Sequence, residues 1–290
     1  MPLAEMISAT LAATNNNLSM GDVMKLKRIA CALAALLLIA NVYADPLDHG
    51  DLVTLPTRDG VTQSIFIESP SANPPWVVVL FPGTPGDLHL DASGATTLNG
   101  NFLIRSAHQW IDYGAAVALV DTPSDNAQGV DDHFRLSKES FTDTQAVVAA
   151  LHQRFPNSKI ALVGTSAGTV SVGNALERGP ALADAFVLTS PVTVSHRGSP
   201  NIADLDVDGT KYRVFVVSNQ HDACVSSPAY AGKHLAERNH FDFVAVDSTE
   251  GGGDKQADCG GHSPHGFLGI EKDVLGGING WLTGHPVAVQ

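Results

Sequence analysis

Apolar and polar residues alternate along the chain in two different rhythms. Six short runs are apolar almost without interruption: WVVVLF (76–81), AAVALV (115–120), KIALVG (159–164), AFVLTS (185–190), YRVFVVS (212–218) and FDFVAV (241–246). Most are rich in β-branched residues and have no polar face, as expected of strands covered on both sides in a parallel sheet. Between and after them lie stretches with helical spacing, at about 99–112, 137–154, 167–178, 228–238 and 270–282. Alternation of strand and helix predicts an α/β fold, a mostly parallel central sheet with helices on both faces. The earlier segments DLVTL and TQSIFIES predict an antiparallel lead-in pair. The connection from Pro191 to Lys211 is about twenty residues, too short for a large cap domain.

The N-terminal region follows another pattern. Lys25, Lys27 and Arg28 precede an apolar run from Ile29 to Ala40, and Val42-Tyr43-Ala44 supplies small residues at a cleavage position. The run is short for a membrane span and suits a signal-peptide core, with cleavage before Asp45. Residues 24–44 are therefore expected to be a signal peptide and residues 1–23 a mis-assigned extension. Residues 45–290 are expected to form a single domain, with no stable membrane anchor after cleavage. That places the protein in the periplasm or outside the cell.

Composition narrows the function. Apolar residues make up 44% of the chain and charged residues 16%, enough for a large core. The net charge of −13 argues against a nucleic-acid partner, whose phosphates call for clustered Lys and Arg. The oligomeric state is not legible. The segment Asp204-Leu205-Asp206-Val207-Asp208-Gly209 resembles the start of a calcium loop, but its twelfth position is Phe215, inside an apolar run. A solvated turn without metal is the expectation.

The most specific signal is Gly164-Thr165-Ser166-Ala167-Gly168. An apolar strand runs into the first glycine, and a helical pattern begins at the serine. Such a sharp strand-to-helix turn exposes a serine hydroxyl at the C-terminal edge of a sheet, and side chains at either glycine would collide with the neighbouring backbone. Ser166 is the candidate nucleophile. An oxyanion needs preorganised N–H donors. The expected pair is Ala167, directly after the serine, and Thr84, in the Pro82-Gly83-Thr84-Pro85-Gly86 loop that follows the first apolar run. The two prolines have no N–H to offer.

An acid is expected after the next-to-last core strand and a base after the last. Asp222 stands just past YRVFVVSN, with Asp247 and Asp254 as weaker rivals. The Gly-rich segment 251–267 offers His262 and His265, and His265, directly before the final helix, is preferred. Cys224 lies two residues after Asp222, and Cys259 six before His265. In an exported chain this pair is expected to form one disulfide that ties the acid loop to the base loop.

With GTSAG as elbow, DACVSSP as acid loop and SPHGF as base loop, in the order Ser, Asp, His, the chain resembles the α/β-hydrolase superfamily from about Trp76 to Leu282. The oxyanion loop departs from the usual His-Gly by carrying Pro82-Gly83. The resemblance implies a serine hydrolase that cleaves an ester, thioester, lactone or amide without a metal or organic cofactor. Its substrate would be a small-molecule or polymeric ester. A serine peptidase or amidase on the same scaffold is the nearest alternative, and a secreted, non-catalytic binding protein a more distant one.

Overall fold

The computed structural model describes residues 46–253 and 257–285. The expected signal peptide, the segment before it and Asp254 lie outside the described residues. The strands are β1 (Asp51–Arg58), β2 (Val61–Glu68), β3 (Trp76–Phe81), β4 (Ala116–Pro123), β5 (Lys159–Thr165), β6 (Ala185–Thr189), β7 (Val214–Asn219) and β8 (Asp242–Val246). They form one sheet in the order β1-β2-β4-β3-β5-β6-β7-β8. β2 pairs antiparallel with β1 and with β4, and every pair from β4 to β8 is parallel. All six apolar runs are strands, displaced by at most a few residues at their ends.

The unbroken apolarity of the strands has a simple cause. Successive side chains point to opposite faces, and each face carries its own core. Val77, Val79 and Phe81 of β3 join Ile160 and Leu162 of β5 on one side. Trp76, Val78 and Leu80 join Ala161 and Val163 on the other. The first face is covered by α4 (Lys138–Arg154), α5 (Gly168–Arg178) and α6 (Ala229–Asn239). The second is covered by α1 (Phe102–Arg105), α2 (His108–Asp112) and α7 (Glu271–Thr283). A further short helix, α3 (Asp132–Arg135), lies before α4.

The helix expected over 99–112 is two short pieces. Asn101 caps α1 by accepting from the Leu103 N–H at 3.0 Å. Ser106 then ends it, turning its hydroxyl back onto the Phe102 carbonyl. A serine that bonds the carbonyl four residues back competes with helix propagation, and α2 starts afresh at His108. In the acidic 204–209 segment, Asp208 accepts from the Thr210 N–H and hydroxyl and pairs with Lys211. Those contacts hold its carboxyl at about 2 in a solvated turn. Between β6 and β7 the chain forms no helix or strand, so no cap domain stands over the sheet. Among the described residues no helix is long and apolar enough to cross a membrane.

The crossing of α5 over the sheet depends on backbone contact. A Cβ at Gly168 would overlap the Phe81 carbonyl oxygen, and one at Gly164 would come within 2.5 Å of the Gly168 carbonyl oxygen. Gly60 instead has a positive φ of 69° with open space around its missing Cβ. Gly168→Ala should therefore destabilise the protein by several kcal/mol, in the range of severe core overpacking, and Gly60→Ala by only about 1–2 kcal/mol of backbone strain. Urea unfolding of the two variants beside wild type checks this, and equal losses would refute the packing argument.

Candidate active site

The site is assembled at the C-terminal ends of β3, β5 and β7. Ser166 follows β5 with φ at +53°, a left-handed conformation uncommon for serine. Its N–H donates to the Thr189 carbonyl at 3.1 Å, and its own carbonyl accepts the Thr169 hydroxyl at 2.6 Å. These bonds, and the lack of side chains at Gly164 and Gly168, hold the strained turn. Ser166 remains partly exposed and lines a cleft of about 410 Å³.

Asp222 stands three residues beyond β7. One of its carboxylate oxygens accepts from His265 Nδ1 at 2.8 Å and the other from the Cys224 N–H at 2.9 Å. The Asp222 side chain is fully buried and that of His265 is 3% exposed. A carboxylate can only accept, so Nδ1 carries a proton, and in the neutral ring Nε2 is the acceptor. Among the described residues Nε2 is buried and has no hydrogen-bond partner, while His265 and Ser166 line the same cleft. The backbone around the histidine is tied on three sides. Ser190 Oγ donates to the His265 carbonyl at 2.7 Å, the His265 N–H to Ser263 Oγ at 3.2 Å, and Asn219 Nδ2 to the Pro264 carbonyl at 3.0 Å.

The alternatives fall elsewhere. His262 is exposed on the cleft wall beside Gly100. Asp247 meets His221 at 3.0 Å in an exposed pair. Neither joins the buried Asp222–His265 couple.

Cys224 and Cys259 form a disulfide with Cα atoms 4.6 Å apart, and both line the cleft. The Asp222, Cys224 and His265 ligand atoms lie within 4.8 Å of one another. They do not make a metal site: the sulfur is in the disulfide and Nδ1 is committed to the carboxylate, which leaves too few free donors.

Gly83 and Thr84 line the cleft opposite Ala167. A Cβ on Gly83 would touch the Ser166 Cβ at 3.3 Å, so the loop passes directly over the serine. Among the described residues neither the Thr84 nor the Ala167 N–H has a partner within the chain. Ala167 precedes the first turn of α5, where the helix dipole is positive. The arrangement brings a half-buried serine, a buried imidazole and two N–H groups without partners among the described residues to one cavity. Asp132 also lines it, and burial pushes its carboxyl above the usual range.

Two buried arginines were not anticipated from the sequence. Arg105 pairs with buried Glu271 at 2.8 Å and donates to the Gly100 and Gly266 carbonyls, both at 2.7 Å, joining α1 and α7 to the base loop. Arg135 is buried beneath the loop that carries Thr84. The one hint of Arg105 is a charge among the apolar positions of FLIRS; nothing in the sequence distinguished Arg135.

The disulfide closes a loop with a sequence separation of 35. Its loss should lower stability by about 4 kcal/mol on chain-entropy grounds. Urea melts of Cys224→Ser/Cys259→Ser and wild type measure this, and coincident transitions would contradict it.

No protein-family model matches the sequence, and no curated protein does. Solved structures do match the fold. A lidless α/β serine hydrolase from Xanthomonas campestris superposes with a TM-score of 0.51 at 15% identity, over 79% of this chain and 95% of the other. An esterase from Pyrococcus furiosus gives 0.57 at 13% identity, over 82% and 92%. A prolyl endopeptidase gives 0.55 at 15% identity, over 83% of this chain and 39% of the larger enzyme. Strand order, the position of the elbow and these superpositions agree: the chain has the α/β-hydrolase fold, in a form without a large cap domain.

Proposed function

We propose that this protein is an exported serine hydrolase that cleaves carboxylic esters or related acyl bonds through Ser166, His265 and Asp222. The observation that carries the reading is the buried Asp222–His265 pair, in which Nε2 has no partner among the described residues and the histidine lines the same cleft as a serine on a glycine-flanked elbow. His265 Nε2 takes the Ser166 proton as Oγ attacks the acyl carbon. The carbonyl electron pair moves onto oxygen, where the Thr84 and Ala167 N–H groups receive it. Collapse expels the alcohol, protonated by His265, and leaves an acyl-serine. Water, deprotonated by the same imidazole, then hydrolyses that ester and returns the serine. Asp222 fixes the tautomer and stabilises the imidazolium formed in each half-reaction.

The disulfide supports export, since such bonds persist in oxidising compartments. The open cleft and the absence of a cap domain favour small or exposed esters, including those of polymers, over a substrate that must be enclosed. The likeness to a prolyl endopeptidase favours keeping amide cleavage as the second reading.

Residues 45–290 produced in an oxidising compartment should turn over p-nitrophenyl esters from acetate to octanoate. Ser166→Ala should lower kcat by several orders of magnitude, and Asp222→Asn by about 10⁴-fold through the wrong tautomer. Matched ester and anilide substrates separate the two readings. Equal rates for wild type and Ser166→Ala would remove the serine mechanism.

A further inference from the structure

The mechanism above leaves Arg135 without a role, although it is the least expected charge in the molecule. The residue is 3% exposed, yet it forms no ion pair among the described residues. Its Nε is buried and has no hydrogen-bond partner among the described residues. Burial lowers its pKa to about 10, and Asp132 and Asp131 oppose that shift from a distance without hydrogen-bonding it. It is therefore still a cation at neutral pH, in a place where a charge is hard to keep.

Two polar contacts hold the guanidinium. Nη1 donates to Ser171 Oγ on α5 at 3.1 Å, and Nη2 to the Gly83 carbonyl at 3.3 Å. The second contact connects Arg135 to the cleft. The Gly83 carbonyl belongs to the same peptide unit as the Thr84 N–H, and that peptide is trans. In a trans peptide the C=O and N–H point in opposite directions. A carbonyl directed at Arg135 therefore turns the Thr84 N–H away from the arginine, and Thr84, unlike Arg135, lines the cleft together with Ser166. The local sequence makes room for this. Gly86 has φ at +93°, and a Cβ there would come within 2.6 Å of Arg135 Nη2.

We propose that Arg135 is the positioning residue of the oxyanion site. It fixes the plane of the Gly83–Thr84 peptide, polarises that amide through its carbonyl and places a positive charge behind the donor. Hydrogen bonds in series strengthen one another, and a charged donor at one end of an amide makes its N–H at the other end a better donor. The benefit appears when negative charge develops on the acyl oxygen, so the interaction favours the transition state over the bound ester. The inference rests on the serine-hydrolase reading above.

The test compares Arg135→Met, Arg135→Lys and Ser171→Ala with wild type in kcat, KM and affinity for an aryl boronic acid, whose serine adduct carries a tetrahedral oxyanion. Arg135→Met should lose about 10- to 100-fold in kcat, less than removal of a whole donor, with KM within about twofold. Boronate affinity should fall by the same factor as kcat/KM. Arg135→Lys, which keeps the charge, should recover most of the loss. Ser171→Ala, which frees one side of the guanidinium, should lose about three- to tenfold in kcat at unchanged KM, and it decides the matter if Arg135→Met does not fold. Wild-type kcat and boronate affinity in a folded Arg135→Met, or in Ser171→Ala where Met cannot be made, would overturn the proposal. So would a rise in KM alone. The hydrolase reading fails separately, when wild-type protein is not labelled at Ser166 by a fluorophosphonate.

Discussion

The site depends on one close approach: the first turn of α5 lies against the end of β3 with no side chain between them. Gly168 meets the Phe81 carbonyl oxygen, and Gly164 meets the Gly168 backbone. Only that contact lets the chain leave β5, turn within a single residue and enter a helix. A serine at φ +53° costs on the order of 1–3 kcal/mol and persists because its surroundings over-determine it. Here the surroundings are the sheet itself, through Thr189, and the helix, through Thr169. The strain is thus held by contacts to the central sheet and the following helix.

Everything else in the cleft must be brought to that point by loops, and loops need polar anchors. The base loop has three: Ser190, Ser263 and Asn219 each hold backbone of residues 264–265. Arg105 adds a fourth by joining Gly100 and Gly266 to Glu271. A buried ion pair of this kind adds little net stability, because desolvating both charges offsets their attraction. Its contribution is geometric: a guanidinium offers several donors in a rigid plane, and these fix loops from different parts of the chain relative to one another. The disulfide acts at the other end of the same loop, beside Asp222. Asp222 and His265 are consequently held by covalent, charged and hydrogen-bonded contacts together with the core residue Phe267.

The strands and the elbow were legible because their determinants are local. A short unbroken apolar run, with apolar residues on both faces, marks a strand buried on both sides, and WVVVLF and KIALVG have that property. GTSAG carries its own steric logic, since two glycines around a serine at a strand end suit few other structures. The split of the expected 99–112 helix was not legible in the same way. Its apolar spacing is helical, and the break comes from one serine hydroxyl choosing a backbone partner, a choice that spacing does not record.

The sequence by itself determined the alternating architecture, the residue that sits at the elbow, and the short list of acids, bases and cysteines that follow the last strands. It ranked Asp222 and His265 first by their places after the last strands, but not by any contact between them. His262 and His265 are three residues apart in one glycine-rich loop, and only the folded chain puts His265 against Asp222 and His262 on an exposed wall. The contacts of the buried arginines belong to the tertiary structure. The contacts of Arg105 with Gly266 and Glu271 span more than 160 residues, and that of Arg135 with Gly83 spans 52. Such pairings depend on how separate segments meet in space, and no local pattern encodes them.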